Sequence, residues 1–200
     1  MQQIDAARFF NFHTAGPWSL AAWPVSQSAA GLTATVLEGL PRGARVLDVG
    51  TGTGITARRL IAEGFQADGV DASPGMLAHA ARLNGARYFP GDAVAIPAQR
   101  DQYDAAIYNY VFRYLTPEES SQAVKEAARV VRPGGLVVVS DLNLPHLRPK
   151  FLPVASALED RLLGAWSDKP NMLAQFQHAG LALEDTRYPL LSFMYVFRRV

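Results

Sequence analysis

Two hundred residues with 49% hydrophobic side chains fit one globular domain with enough chain to bury a core. Nineteen basic residues against 18 acidic ones leave a formal charge of +1, which offers no electrostatic footprint for nucleic acid or an anionic membrane surface. The absence of cysteine excludes disulfides, thiolate metal sites and any mechanism that needs a cysteine nucleophile.

The first residues, Met1-Gln2-Gln3-Ile4-Asp5, lack the basic region and apolar core of a secretion signal. Apolar runs such as 135–140 are far too short to span a bilayer, so a cytoplasmic protein without stable membrane insertion is expected. Residues 4–12 carry Ile4, Ala7, Phe9, Phe10 and Phe12 and read as a short helix, broken at Gly16-Pro17. An aromatic, irregular stretch over 18–24 leads to a second helix over 26–40, and Pro41-Arg42-Gly43 turns the chain into an apolar strand over 44–49. Three glycines, Gly50, Gly52 and Gly54, end that strand, and a helix is expected from about 55 to 63 with Gly64 past its end.

A second strand over 66–70 closes on Asp71. Ser73 suits an N-cap and Pro74 the first helical position, so a helix carrying Met76, Leu77, Ala80, Ala81 and Leu83 should follow. Residues 85–90 read as a third strand, 103–109 as a fourth and 136–140 as a fifth, with Arg132-Pro133-Gly134-Gly135 as the turn into the last of these. Thr116-Pro117-Glu118-Glu119 repeats the cap, proline and acidic first-turn signature and opens a helix reaching 131. The tail is expected to hold helices over 154–166 and 170–179 and two strands, 181–188 and 192–199, whose short link suits an antiparallel pair. The class is α/β: a Rossmann-like three-layer sandwich around a mostly parallel sheet.

A strand that turns through glycines into a helix builds a ligand site from backbone, because glycine permits positive φ and the helix start presents free N–H groups. In a parallel sheet, ligands lie at the carboxyl ends of the strands near the point where strand order reverses. The chemistry-bearing residues fall at such ends: the glycines after strand one, Asp71 after strand two, Asp92 after strand three, Asn109 after strand four and Asp141 after strand five. A carboxylate at Asp71 can accept from both hydroxyls of a ribose, which implies an adenosine compound without saying which. The third glycine comes one residue earlier than in the dinucleotide pattern, with Ile55 in its place. Asp48, two residues before Gly50, would repel a pyrophosphate and suits a cationic ammonium or sulfonium.

Asp48-Val49-Gly50-Thr51-Gly52-Thr53-Gly54 resembles the first motif of the class I S-adenosylmethionine-dependent methyltransferases. Gly69-Val70-Asp71-Ala72-Ser73-Pro74-Gly75-Met76-Leu77, Gly91-Asp92-Ala93, Tyr103-Asp104-Ala105-Ala106-Ile107 and Arg129-Val130-Val131-Arg132-Pro133-Gly134-Gly135-Leu136 resemble its later motifs, in order over about 42–142. The likeness is strongest to the small-molecule branch that includes the quinone-biosynthesis methyltransferases. It implies seven strands with the last antiparallel, and S-adenosyl-L-methionine as cofactor. It implies that Gly50, Gly52 and Gly54 let backbone approach the methionine and ribose, and that Asp48 acts near the methionine amino end. It further implies that Asp71 holds the ribose with Ala72 beside it, that Met76 packs on the adenine, and that Asp92 and the Ala93 N–H read the adenine edge. The strand-four end at Asn109 would lie beside the methyl group.

His13, Tyr110 and Arg113 are the candidate catalytic residues, with His146 and Tyr195 as further candidates to line the acceptor pocket. The expected reaction is in-line methyl transfer to a small, apolar or aromatic acceptor. A cofactor-binding protein that does not transfer methyl and a nicotinamide-dependent oxidoreductase are the alternatives. No metal is required, nucleic acid is not an expected substrate, and a homodimer is left open. One domain over 1–200 divides into a helical cap (1–41), the cofactor-binding core (42–142) and an acceptor-side segment with a terminal hairpin (143–200).

Overall fold

The computed structural model describes residues 26–82, 85–142, 169–188 and 192–200. The helices expected over 4–12 and 154–166, and the aromatic stretch 18–24, lie outside them. A helix over 26–37 is α1. It is followed by β1 (Arg45–Val49), α2 (Ile55–Ala62), β2 (Gln66–Asp71), α3 (Pro74–Arg82), β3 (Arg87–Pro90), β4 (Tyr103–Asn109) and a 3-10 turn (Phe112–Tyr114). Then come α4 (Pro117–Val130), β5 (Val131–Leu142), α5 (Lys169–His178), β6 (Leu181–Arg187) and β7 (Ser192–Arg199).

The strands form one seven-stranded sheet in the order β3-β2-β1-β4-β5-β7-β6. Pairings from β3 through β5 are parallel, and β7 runs antiparallel to both β5 and β6. The Rossmann-like arrangement expected from the sequence is therefore present, antiparallel last strand included. Strand order reverses between β1 and β4, so the carboxyl edge there opens a crevice. Both faces of the central strands are covered, which is why Val46, Leu47, Asp48 and Val49 of β1 are all buried.

Alternation along each strand sends side chains into two cores. Leu47, Val49, Tyr108, Val137, Val139, Phe193 and Phe197 pack with α4 and α5 on one face. Val46, Ile107, Val138, Met194 and Val196 pack with Ala57 and Leu60 of α2 and Leu37 of α1 on the other. Phe176 of α5 stacks on Phe197 with ring centroids 4.1 Å apart, which ties the tail to the parallel sheet.

Several boundaries differ from the sequence expectation, and the helix expected over 26–40 already ends at 37. The segment 132–135 is not a free turn before β5. Tyr103 pairs with Val131 and Ala105 with Leu136, so Pro133-Gly134-Gly135 is looped out of a strand that has already begun. Proline cannot donate to the ladder, which is why the ladder breaks there. The strand expected over 85–90 shortens to Arg87–Pro90.

Candidate functional site

The glycine turn is built as the sequence implies. Gly50, Gly52 and Gly54 have φ of 65°, 54° and 77°, a region that L side chains rarely adopt. Gly54 is the N-cap of α2 and has no side chain to cap it, and the Ala57 N–H in the first turn is taken by Asp48 instead. The Thr51 N–H donates to the Val70 carbonyl at 3.0 Å, which holds the turn onto the tip of β2.

Asp71 organises this edge in two ways. One carboxylate oxygen accepts from the Gly52 N–H at 2.8 Å and the other from the Ser73 N–H at 2.8 Å. Each oxygen keeps a further lone pair for a ligand hydroxyl. Ser73, not Asp71, caps α3, accepting from the Met76 N–H at 3.3 Å. Burial raises the Asp71 pKa above its ordinary value against the two backbone bonds, and the Asp92 charge adds to the rise.

Asp48 is buried at 2% exposure beneath α2. It accepts from the Thr51 hydroxyl at 2.6 Å and from the Ala57 N–H. Desolvation pushes its pKa up to about 7, and Asp71 adds to the rise. Among the described residues Asp48 makes no ion pair. Asp71 thus acts against Asp48 on one side and Asp92 on the other, around a turn whose N–H groups supply donors.

The remaining cofactor candidates take these places. Met76 is buried and Ala72 exposed at the start of α3. Asp92 is exposed and accepts from the Val94 N–H at 3.1 Å within its own turn, while Ala93 is buried. The Asn109 side chain is engaged inside the protein. It donates to Thr56 at 3.0 Å and accepts from the Ser140 hydroxyl at 2.5 Å, so it joins β4 to α2 and β5.

Tyr110 and Arg113 come together at the ends of β4, β5 and β7. Tyr110 has φ 62°, costly for an aromatic residue, and its N–H donates to the Ser140 carbonyl at 2.8 Å. Desolvation pushes its phenol up to about 12, although it is hydrogen-bonded to Ser192. Arg113 is buried and pairs with Asp141 at 3.2 Å. Tyr195 lies buried on β7 beside Phe193, hydrogen-bonded to Tyr188, with its phenol likewise raised to about 12, first by burial. His13 and His146 lie outside the described residues.

Sequence reasoning missed Thr51, Thr56 and Tyr88. The position of Thr51 three residues after Asp48 is a usable signal for the first. Thr56 and Tyr88 are joined to the site only by tertiary register, which leaves no local pattern.

Known proteins share parts of the sequence and the fold. A methyltransferase-domain family model matches residues 46–135. A demethylmenaquinone methyltransferase of Mycolicibacterium paratuberculosis is 36% identical over 110 residues, which is 54% of this chain and 45% of that one. The chain spans about half the length of the curated relatives it matches. A TehB-like SAM-dependent methyltransferase from Corynebacterium glutamicum superposes with a TM-score of 0.69, at 19% identity over 95% of this chain and all of that one. A cyclase, SpnF, superposes at 0.66, with 20% identity over 86% of this chain and 81% of that one. Residues 46–135 are thus similar to a methyltransferase domain, and the solved structures share the fold of the chain.

Proposed function

We propose that the chain binds S-adenosylmethionine at the carboxyl edge of β1, β2 and β3 and transfers its methyl group to a small apolar or aromatic acceptor in the cytoplasm. It acts as one domain in this reading, with 1–41 and 143–200 forming the acceptor side. The observation that carries the reading is the buried Asp48 carboxylate behind the glycine turn, which makes no ion pair among the described residues. A cationic ligand relieves the repulsion of Asp71 with Asp48 and with Asp92, whereas the pyrophosphate of a dinucleotide adds to it. That is the case against the nicotinamide alternative.

When bound, the cofactor supplies a methyl group on a sulfonium, open to in-line displacement by a nucleophile. Asp71 holds the ribose hydroxyls with its remaining lone pairs. Met76 gives the adenine an apolar neighbour, and Asp92 with the Ala93 N–H reads its edge. Asp48 supports the cationic end of the methionine. Tyr110 keeps its proton near neutral pH and so positions the acceptor without acting as a base. The charge of Arg113 is balanced by Asp141, leaving alignment as the main source of rate.

The same fold in a cyclase keeps a second reading in play: cofactor binding without methyl transfer. Assay for the demethylated cofactor against pooled metabolites separates the two. Product in at least one pool supports transfer. Cofactor binding with no product in any pool contradicts it.

A further inference from the structure

On the α2 face of the sheet, Asp48 of β1, Gly69 of β2 and Tyr88 of β3 stand in one cross-strand row. Asp48 and Tyr88 are two strands apart, about 10 Å between backbones. Gly69 leaves the space between them open, and the tyrosine ring lies across it. A Cβ on Gly69 would meet ring carbons of Tyr88 at 2.6 and 2.8 Å and the Thr51 hydroxyl at 2.9 Å. That hydroxyl is the one that donates to Asp48. At its far end the Tyr88 hydroxyl abuts Gly54, where any Cβ would collide with it. The ring therefore fills the space behind the glycine turn, with its polar tip at the start of α2.

The hydroxyl has no hydrogen-bond partner among the described residues, although its oxygen is buried. A buried unsatisfied hydroxyl costs stability, and phenylalanine would fill the same space without that cost. Asp48 acts on it directly, raising the phenol pKa after burial, with Arg58 opposing. The carboxylate already has the Thr51 hydroxyl and the Ala57 N–H as donors. Once ionised, it has room for a third.

We propose that Tyr88 is a positioning residue of the cofactor site, its hydroxyl a donor reserved for the ionised Asp48 carboxylate, directly or through one water. This rests on the reading of the site as one for S-adenosylmethionine. The orphan hydroxyl is then a stability cost accepted for binding. Donation to the ionised carboxylate favours the state in which Asp48 supports a cationic ligand.

The test compares wild-type protein with Tyr88→Phe by thermal melting without ligand and by calorimetric titration with S-adenosylmethionine between pH 5.5 and 8.5. The expected result is an unchanged or higher Tm in Tyr88→Phe, with Kd weakened about tenfold at pH 7. The pH midpoint of binding should also move upward in the variant. An unchanged Kd overturns the proposal. A Kd loss that accompanies a Tm drop of several degrees also overturns it, because that marks a packing residue. Wild-type protein that does not bind S-adenosylmethionine overturns the underlying reading, and this one with it.

Discussion

Asp48 shows most plainly how one side chain links stability to binding. Its ordinary pKa of 3.8 applies in the unfolded chain, and burial raises it to about 7 in the fold. The protonated form is the one the folded protein favours. The stabilisation it gives is complete below pH 3.8 and is lost as pH rises through about 7. A shift of this size is worth about 4 kcal/mol. Asp48→Asn should therefore abolish much of the fall in wild-type stability across that window, as read by urea unfolding at pH 4, 6 and 8. Binding runs the other way. A cationic cofactor prefers the ionised carboxylate, so wild-type affinity for S-adenosylmethionine should rise between pH 5.5 and 8. Asp48→Asn should bind more weakly at pH 8 and lose most of that rise. A pH slope in Asp48→Asn equal to that of the wild type would remove Asp48 from the site.

Elements that carry their own end signals were legible in the chain. Thr116 accepts from the Glu119 N–H at 3.1 Å and the Glu119 carboxylate accepts from the Thr116 N–H at 2.7 Å, the capping box implied by Thr-Pro-Glu-Glu. Thr116→Ala should cost about 1 kcal/mol in urea unfolding and leave the cofactor Kd within twofold, since the capping box makes none of the hydrogen bonds that build the glycine turn. A larger loss of cofactor binding than of stability would show that α4 shapes the site. The glycine turn, Asp71 and the Ser73 cap were legible for the same reason: spacing along the chain fixes them. Tyr88 and the Asn109–Thr56–Ser140 network were not, because they depend on which strands become neighbours and in what register. The bulge at the start of β5 was misread as a turn. Pro-Gly-Gly has turn chemistry, and only the pairing of Val131 with Tyr103 shows that the strand has already begun.

Across the whole molecule, one arrangement of strands accounts for both the site and its support. The order reversal between β1 and β4 opens the edge where the glycine turn, Asp71 and Tyr110 meet. The insertion of β7 between β5 and β6 brings Ser192, Phe193 and Tyr195 to that edge from the far end of the chain. No helix among the described residues is long and apolar enough to cross a membrane. We read this edge as a site for a sulfonium cofactor and not for a dinucleotide. The choice between the two ligands carries the discrimination, and Asp71 locates the site, because the same carboxylate that pins the Gly52 N–H is the proposed ribose acceptor. The decisive measurement is the melting temperature of the wild type and of Asp71→Ala, each with S-adenosylmethionine and with NADH. The expected result is a rise with S-adenosylmethionine alone, lost in Asp71→Ala; a rise with NADH and none with S-adenosylmethionine would rule out the sulfonium site.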